Sequence, residues 1–479
     1  LPVWEVTCLL ALIDAYCPEL TELHPEDNER YPWSDLGNGN LYADFFKSIA
    51  RYTSGRRIWY IFDGRVWRPD PCGLLAMELC KQLAAKLKEY ALTIKHTKMH
   101  TNYNNYVEKW QKRSYREIIL RDAASVHPLK SSDFDCKPNS YNCLNGTLDL
   151  ATGEFHKHCP EDMLTKLSGA KYDPEARCDR WERFISEVME GDEERALYLQ
   201  KALGYALQGN PNQECFFILY GPSSRNGKGT AMETYLALMG DYGRAVSPHT
   251  ISQKKYVDGS GPTEDVARLA GARFINISEP DREITLSSSL IKSWTGNDTI
   301  SARFLHEGSF EFRPQFSIFI NTNHLPNVTD DTIFASERAK IIPFERHFTD
   351  AEQDKGLKAE LVQPRNLSGI LNWCLQGLAL FRSAGLEAPA SVREATDMYR
   401  EQSDVIGGFI RQKLEKDAQA EERTKDVYDA YTVWCILEGT QPESRCVLNN
   451  RLRTLGTVKS KRPKTGGENT TMLIGYKLK

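Results

Sequence analysis

Residues 221–230 read GPSSRNGKGT, a glycine- and serine-rich loop. It follows the apolar run Cys215–Tyr220 (CFFILY) and precedes AMETYLALMG, where apolar residues return at helical spacing. A loop between a buried strand and the start of a helix aims successive backbone N–H groups and a positive helix end at one point, which suits a polyphosphate. Lys228 adds a mobile positive charge for the outer phosphates, and Gly227 leaves room for close backbone approach. The candidate nucleotide-binding residues are Gly221, Arg225, Asn226, Gly227, Lys228, Gly229 and Thr230. Five residues separate Gly221 from Gly227, one more than the common phosphate-loop pattern, and Gly229 stands where a hydroxyl usually meets Mg²⁺. Thr230, or water, is left to supply that ligand.

Hydrolysis of a bound triphosphate also needs a carboxylate near the attacking water and metal, and a polar group on a neighbouring strand to sense the γ phosphate. Phe274–Glu279 (FINISE) is an apolar strand closing on an acid, so Glu279 is the candidate base or Mg²⁺-shell residue. Phe316–Asn323 (FSIFINTN) is a second strand ending in polar groups, and Asn323 is placed to orient water. Arg338 precedes a third strand, AKIIPF. An arginine aimed at the pocket of a neighbouring subunit would stabilise charge in the transition state.

These residues must be carried by a long chain. Its 479 residues correspond to about three domains at ~150 residues each. Hydrophobic residues at 41% and charged residues at 26% describe a water-soluble globular protein, and no apolar run approaches the ~20 residues of a membrane span. The net charge of −4 confines any nucleic-acid surface to local patches. Twelve scattered cysteines suggest free thiols in a reducing, cytoplasmic setting. The start lacks Met and a basic leader, as if the chain began inside a longer protein.

Residues 1–32 end in the polar stretch HPEDNERYPWSD and read as the remnant of a linker. Ile58–Trp67 reads as a hairpin about Asp63-Gly64, Leu74–Tyr90 as a helix, and 141–155 as short strands. The organisation expected is a mixed N-terminal domain over 33–195, an α/β core over 196–345 and a helical lid over 346–403. Residues 404–479 then form a winged-helix-like end. From Val447 onward, eight Lys/Arg face one acid, so Lys459–Lys464 reads as a basic wing able to meet duplex phosphates or a partner. A zinc site from Cys136, Cys143, His156, His158 and Cys159 is discounted, because its spacing fits no common pattern.

The ordered set GPSSRNGKGT, FINISEP, IKSWTGNDTISARFLHEGSFEFRP, FSIFINTNHLP and ERAKIIPF resembles the superfamily 3 helicases. Within them it is most similar to the primase-helicases of phages, plasmids and poxviruses. NGTLDLATGEFHKHCPEDMLTK and YLQKALGYALQG look like the pre-helicase domain of that family, so the likeness covers most of residues 33–479. The resemblance implies an α/β fold with an AAA+ core and a ring, usually a hexamer, that hydrolyses ATP with Mg²⁺. Such a ring moves along single-stranded DNA at a replication fork, commonly with a primase upstream in the same chain, here in a bacterial host. The Walker A lysine falls on Lys228, the Walker B acid on Glu279, the sensor asparagine on Asn323 and the arginine finger on Arg338. Ser278 replaces a second acid, leaving Glu279 to act alone, and Glu337 precedes Arg338 where the family is usually Arg-rich.

Between Glu279 and Asn323, TISARF and SFEF frame the tip LHEG as a hairpin. In the resembled family this element enters the ring channel, and its basic residues map onto Arg303, His306 and Lys292. Two rivals remain at this point, a monomeric P-loop phosphotransferase and a non-catalytic nucleotide-binding adaptor ring. Neither requires the hairpin, and only a shared site requires Arg338.

Overall fold

The computed structural model describes residues 3–253, 263–280, 284–305, 308–328, 330, 332–440, 442–455, 457–461 and 470–479. The N-terminal unit packs helices against a three-stranded antiparallel sheet, β1 (Ala50–Thr53), β2 (Ile58–Phe62) and β3 (Trp67–Asp70). The expected hairpin is present: Phe62 pairs with Trp67, and the Asp63 carboxylate takes the backbone N–H groups of Arg65 and Val66 at 2.8 and 2.9 Å. Asp70 then starts the helix Leu74–Ala91 by accepting from the Leu74 and Ala76 amides.

The linker expected over 1–32 is instead structured. Helices Val3–Tyr16 and Leu20–Leu23 bring Leu9, Ile13 and Leu20, and the segment after them Tyr31, into the same apolar cluster as Leu41, Phe45 and Leu83. That cluster ends near Phe134. The next strands, β4 (Ser140–Cys143), β5 (Gly146–Asp149) and β6 (Phe155–His156), form a small antiparallel sheet. Tyr141 and Leu148 of this sheet, with helices Asp179–Val188 and Glu193–Tyr205, join the core of the central sheet. The buried apolar residues thus divide between two clusters near residue 135.

The central sheet is parallel, with β7 (Phe216–Tyr220), β8 (Gly243–Val246), β9 (Phe274–Ser278), β12 (Ser317–Thr322) and β13 (Ala339–Pro343) in the order β13-β7-β12-β9-β8. Along β7, Phe217 and Leu219 enter one cluster while Phe216 and Ile218 enter the cluster on the other face. Burial on both faces explains why this strand reads as an unbroken apolar run. The edge strand β13 is covered by helix Ala390–Ser403, whose Thr396 hydroxyl accepts from the Ile341 amide at 3.1 Å. The supposed lid is thus packed against the sheet.

Between β9 and β12 stands the expected hairpin, β10 (Ile300–Arg303) and β11 (Ser309–Phe312), with Ile300 opposite Phe312 and Arg303 opposite Ser309. The C-terminal end has its own apolar cluster. Helices Val405–Lys413, Thr424–Leu437 and Arg445–Leu455 accompany β14 (Leu414–Arg423), β15 (Thr457–Lys461) and β16 (Thr470–Leu478), with β16 central. Residues 462–469, which include Arg462 and Lys464 of the expected basic wing, lie outside the described residues. Among the described residues no helix is long and apolar enough to cross a membrane.

Candidate functional site

β12 lies between β7 and β9, pairing Asn321 with both Leu219 and Ser278. The chain just beyond β12 therefore emerges between the loop after β7 and the acid after β9. This is the carboxyl-end crevice where open α/β sheets bind ligands.

The loop after β7 bends through two left-handed residues, Arg225 (φ 60°) and Gly227 (φ 85°). A Cβ at Gly227 would meet Val188 Cγ1 at 2.4 Å, so the neighbouring helix as well as the turn demands glycine. A Cβ at Gly221 would lie 2.2 Å from the Phe344 carbonyl oxygen. Buried Asn226 closes the loop by donating its amide to the Ser223 carbonyl at 2.7 Å, and the helix Lys228–Met239 begins immediately after Gly227.

Lys228 is 5% exposed, and its ammonium donates to the Gly221 carbonyl at 3.1 Å and to Asn323 Oδ1 at 2.7 Å. Burial pushes its pKa down to about 8, while the nearby Glu279 carboxylate acts in the opposite direction. Glu279 is exposed, adopts a left-handed backbone (φ 50°) and donates its N–H to the Asn321 carbonyl at 2.9 Å. Such a backbone is uncommon for a residue other than glycine, and it turns the acid off the strand end. Lys228, Asn323 and Glu279 are thus brought to one place.

Thr230 sits partly exposed on the first turn of the same helix. The Gly229 position is open: the nearest group to a Cβ there is Glu233 Oε1 at 3.9 Å. Arg225 is ion-paired with Asp350.

Arg338 is elsewhere. It precedes β13, its carbonyl accepts from the Phe216 amide at the start of β7, and its guanidinium is held by Thr295 Oγ1 at 2.7 Å and by Glu214. That is the opposite end of the parallel strands from the loop. Lys292 belongs to helix Ser288–Thr295 and is ion-paired to Asp330 at 2.5 Å. Arg303 ends β10, where its backbone exchanges hydrogen bonds with Thr263. His306 lies outside the described residues.

Two features of the site carried no sequence signal. The segment after β13 straps the loop: Phe344 N donates to the Tyr220 carbonyl at 2.6 Å, His347 Nδ1 to the Ser224 carbonyl at 2.8 Å and Phe348 N to the Arg225 carbonyl at 2.9 Å. Asn321, 7% exposed, keeps an Oδ1 without a partner among the described residues, a buried acceptor beside the triad.

The lowered lysine pKa has a testable sign. Below pH 8 the ammonium is charged and can meet phosphate. Above it, a phosphate group bound here would have to bring a proton with it, so affinity for such a ligand should weaken by up to about tenfold per pH unit. Folding stability moves the other way: between pH 8 and the ordinary lysine value of 10.5 the unfolded chain binds more protons, so the cost of burying this charge is relieved as pH rises. Titrating a fluorescent nucleotide analogue from pH 7 to 10 should show the loss of affinity in the native protein and a flat profile in Lys228→Arg, whose guanidinium stays charged.

Comparison with known proteins places this arrangement. Residues 40–190 match the family described as D5 N terminal like, and residues 219–338, from the β7 strand through Arg338, match a family of unknown function, DUF5906. The chain is 26% identical over 401 residues to the putative helicase L207/L206 of Acanthamoeba polyphaga mimivirus, covering 79% of this chain and 41% of that protein. It is 27% identical over 271 residues to the putative helicase 022R of Frog virus 3 (isolate Goorha), covering 52% and 27%. The chain spans less than half the length of these curated relatives. The apo structure of the NrS-1 C terminal region (305–718) superposes with a TM-score of 0.51 at 12% identity, covering 89% of this chain and 96% of that one, so the fold is shared. The chain is similar in sequence to putative viral helicases. The resemblance carried by the motifs therefore stands, together with a mixed α/β fold built on a five-stranded parallel sheet.

Proposed function

We propose that this chain is the motor part of a DNA helicase. It hydrolyses ATP at seams between copies arranged in a ring, where Arg338 of one copy serves the phosphate loop of the next. Hydrolysis draws single-stranded DNA past the β10–β11 hairpins during replication. The observation that carries the reading is the hydrogen bond of Lys228 to Asn323 at the carboxyl end of the sheet, with Glu279 on the adjoining strand. An ammonium already resting on a polar side chain can exchange that partner for a phosphate oxygen, and the asparagine is then released to orient water. The glycine loop supplies backbone donors to the same point. Superfamily 3 membership, an AAA+ core and a hexamer belong to this proposal. The helices and three-stranded sheet of the C-terminal end support the winged-helix reading, and a primase upstream is part of it as well.

For Mg²⁺, the Thr230 hydroxyl and the Glu279 carboxylate are oxygen donors of the kind this ion prefers, and the open Gly229 position leaves room for water. These two residues would hold it, and when bound the ion neutralises charge on the phosphates. Glu279, the acid at the strand end, also polarises the attacking water.

Steady-state ATP turnover, measured with and without oligo(dT), tests the reading: stimulation by the oligonucleotide is expected, and its absence at saturating strand would sink the motor assignment. For the hairpin, Arg303→Ala combined with His306→Ala should weaken oligo(dT) binding, with a salt dependence shallower by roughly 0.7 for each phosphate that is no longer neutralised. Fluorescence anisotropy across a salt series reads both quantities, and an unchanged slope would remove these residues from the DNA path.

A further inference from the structure

A cavity of about 840 Å³ opens between the N-terminal unit, the edge strand β8 and the flank of the β10–β11 hairpin. It shares no residue with the phosphate loop, Glu279 or Asn323. Each side brings aromatic rings: Tyr60 and Phe134 stack at 4.6 Å in the N-terminal unit, and Phe304 and Phe310 stack at 5.7 Å with 15° between their planes on the hairpin. Arg56 joins the two units, its guanidinium 5.0 Å over the Phe304 ring and hydrogen-bonded to the Tyr60 hydroxyl at 3.1 Å. The hairpin is therefore docked along this flank.

The charges inside are unevenly committed. The Lys166 ammonium has no hydrogen-bond or ion-pair partner among the described residues, and desolvation lowers its pKa although Asp135 acts against that shift. Arg244 donates to the carbonyl of its neighbour Gly243, at 3.0 Å, and has no ion pair among the described residues. Asp135, by contrast, is occupied by the Thr165 amide at 2.8 Å and the Thr165 hydroxyl. The remaining lining carboxylates, Asp265 and Glu311, are solvent-exposed. A half-buried ammonium and a guanidinium outside any ion pair, beside half-exposed phenyl rings, match what a nucleotide unit offers, a phosphodiester and a flat base.

We propose that this cavity binds a stretch of single-stranded nucleic acid, with backbone phosphate against Lys166 and Arg244 and a base against the Phe310 and Phe312 rings. The inference rests on the strand-handling reading above and adds the N-terminal unit to the path of the strand. The length of a polynucleotide lets one segment occupy this flank while another meets the hairpin tip.

The test uses the full chain and an oligo(dT) carrying 5-iododeoxyuridine, irradiated and mapped by peptide mass spectrometry, a measurement that needs no substitution. Crosslinks at Phe310, Phe312, Tyr60 or Phe134 are expected. In parallel, Lys166→Met with Arg244→Gln, checked by thermal melting, should weaken oligo(dT) binding, and its log–log salt dependence should be shallower by roughly 1.4, about 0.7 for each phosphate. Free dTMP should compete only weakly. Crosslinks confined to other parts of the chain, or an unchanged salt slope in the double variant, overturn the inference while DNA-stimulated ATP turnover leaves the motor reading intact. Displacement of the oligonucleotide by dTMP at equal concentration overturns it in favour of a free-nucleotide site. Failure of the native protein to bind any oligonucleotide removes both.

Discussion

Lys228→Ala should lose ATP turnover by a factor on the order of 10² to 10³ or more, the range found when one preorganised charge-stabilising donor is removed from a site. The expectation follows from where the ammonium already is. It is buried and held at 2.7 Å from Asn323 Oδ1 and 3.1 Å from the Gly221 carbonyl, so it is positioned before nucleotide arrives and costs little reorganisation when phosphate replaces Asn323. Removing it leaves two acceptors short of a donor, at ~1–3 kcal/mol for each that stays dry, but also removes a charge whose burial was unfavourable. These effects oppose each other, so the melting temperature should move far less than the rate. Asn323→Ala should lower kcat with a smaller change in nucleotide Kd, because its task falls in the reaction and not in binding. Because the two groups touch, the double variant should be little worse than Lys228→Ala alone. Turnover in Lys228→Ala near the native rate, still stimulated by single strands, would contradict the whole assignment of this loop.

The parts of this site legible in the sequence are those fixed by local rules. β7, β9 and β12 read as strands because they are buried on both faces and mostly apolar, unbroken in β7 and interrupted by Asn276 in β9, and the loop announced itself through glycine. The hairpin at 300–312 and the helix Leu74–Ala91 follow from alternation and helical spacing in the same way. What escaped depends on partners distant in the chain. HPEDNERYPWSD has the composition of a linker, yet Tyr31 donates to Asp44 at 3.0 Å, Arg30 pairs with the same carboxylate, and Trp33 stacks on Tyr106 at 5.2 Å. Polar composition was read as solvation when it was satisfied by tertiary contacts. The strap from Phe344 to Asp350 escaped because its partners, Tyr220, Ser224 and Arg225, lie more than a hundred residues earlier in the chain, and two of its four contacts are through backbone N–H groups. Lys292 was grouped with the hairpin by proximity in sequence, whereas its commitment to Asp330 reflects the fold of the helix that bears it.

The second large effect concerns Arg338. Its backbone meets Phe216 at the first residue of β7, and the five residues of that strand separate it from the phosphate loop by roughly 16 Å at ~3.3 Å per residue, beyond the reach of its own side chain. If it stabilises the transition state, it does so in a neighbouring copy, and Arg338→Ala should lower turnover by ~10³ to 10⁵ while each subunit still binds nucleotide. Its present partner, Glu214, is 62% exposed on the side chain but Arg338 itself only 13%, so reaching a phosphate means giving up a half-buried ion pair and the Thr295 hydrogen bond. Two experiments separate a shared-site arginine from a structural staple. Mixing Arg338→Ala with Lys228→Ala subunits should restore some turnover, because a seam can then combine an intact Lys228 from one copy with an intact Arg338 from the next. Glu214→Gln, which removes the ion pair but leaves the Thr295 hydrogen bond, should preserve or raise turnover. A staple would instead make Glu214→Gln as damaging as Arg338→Ala, and mixing would rescue nothing, since every subunit would need both residues in its own fold.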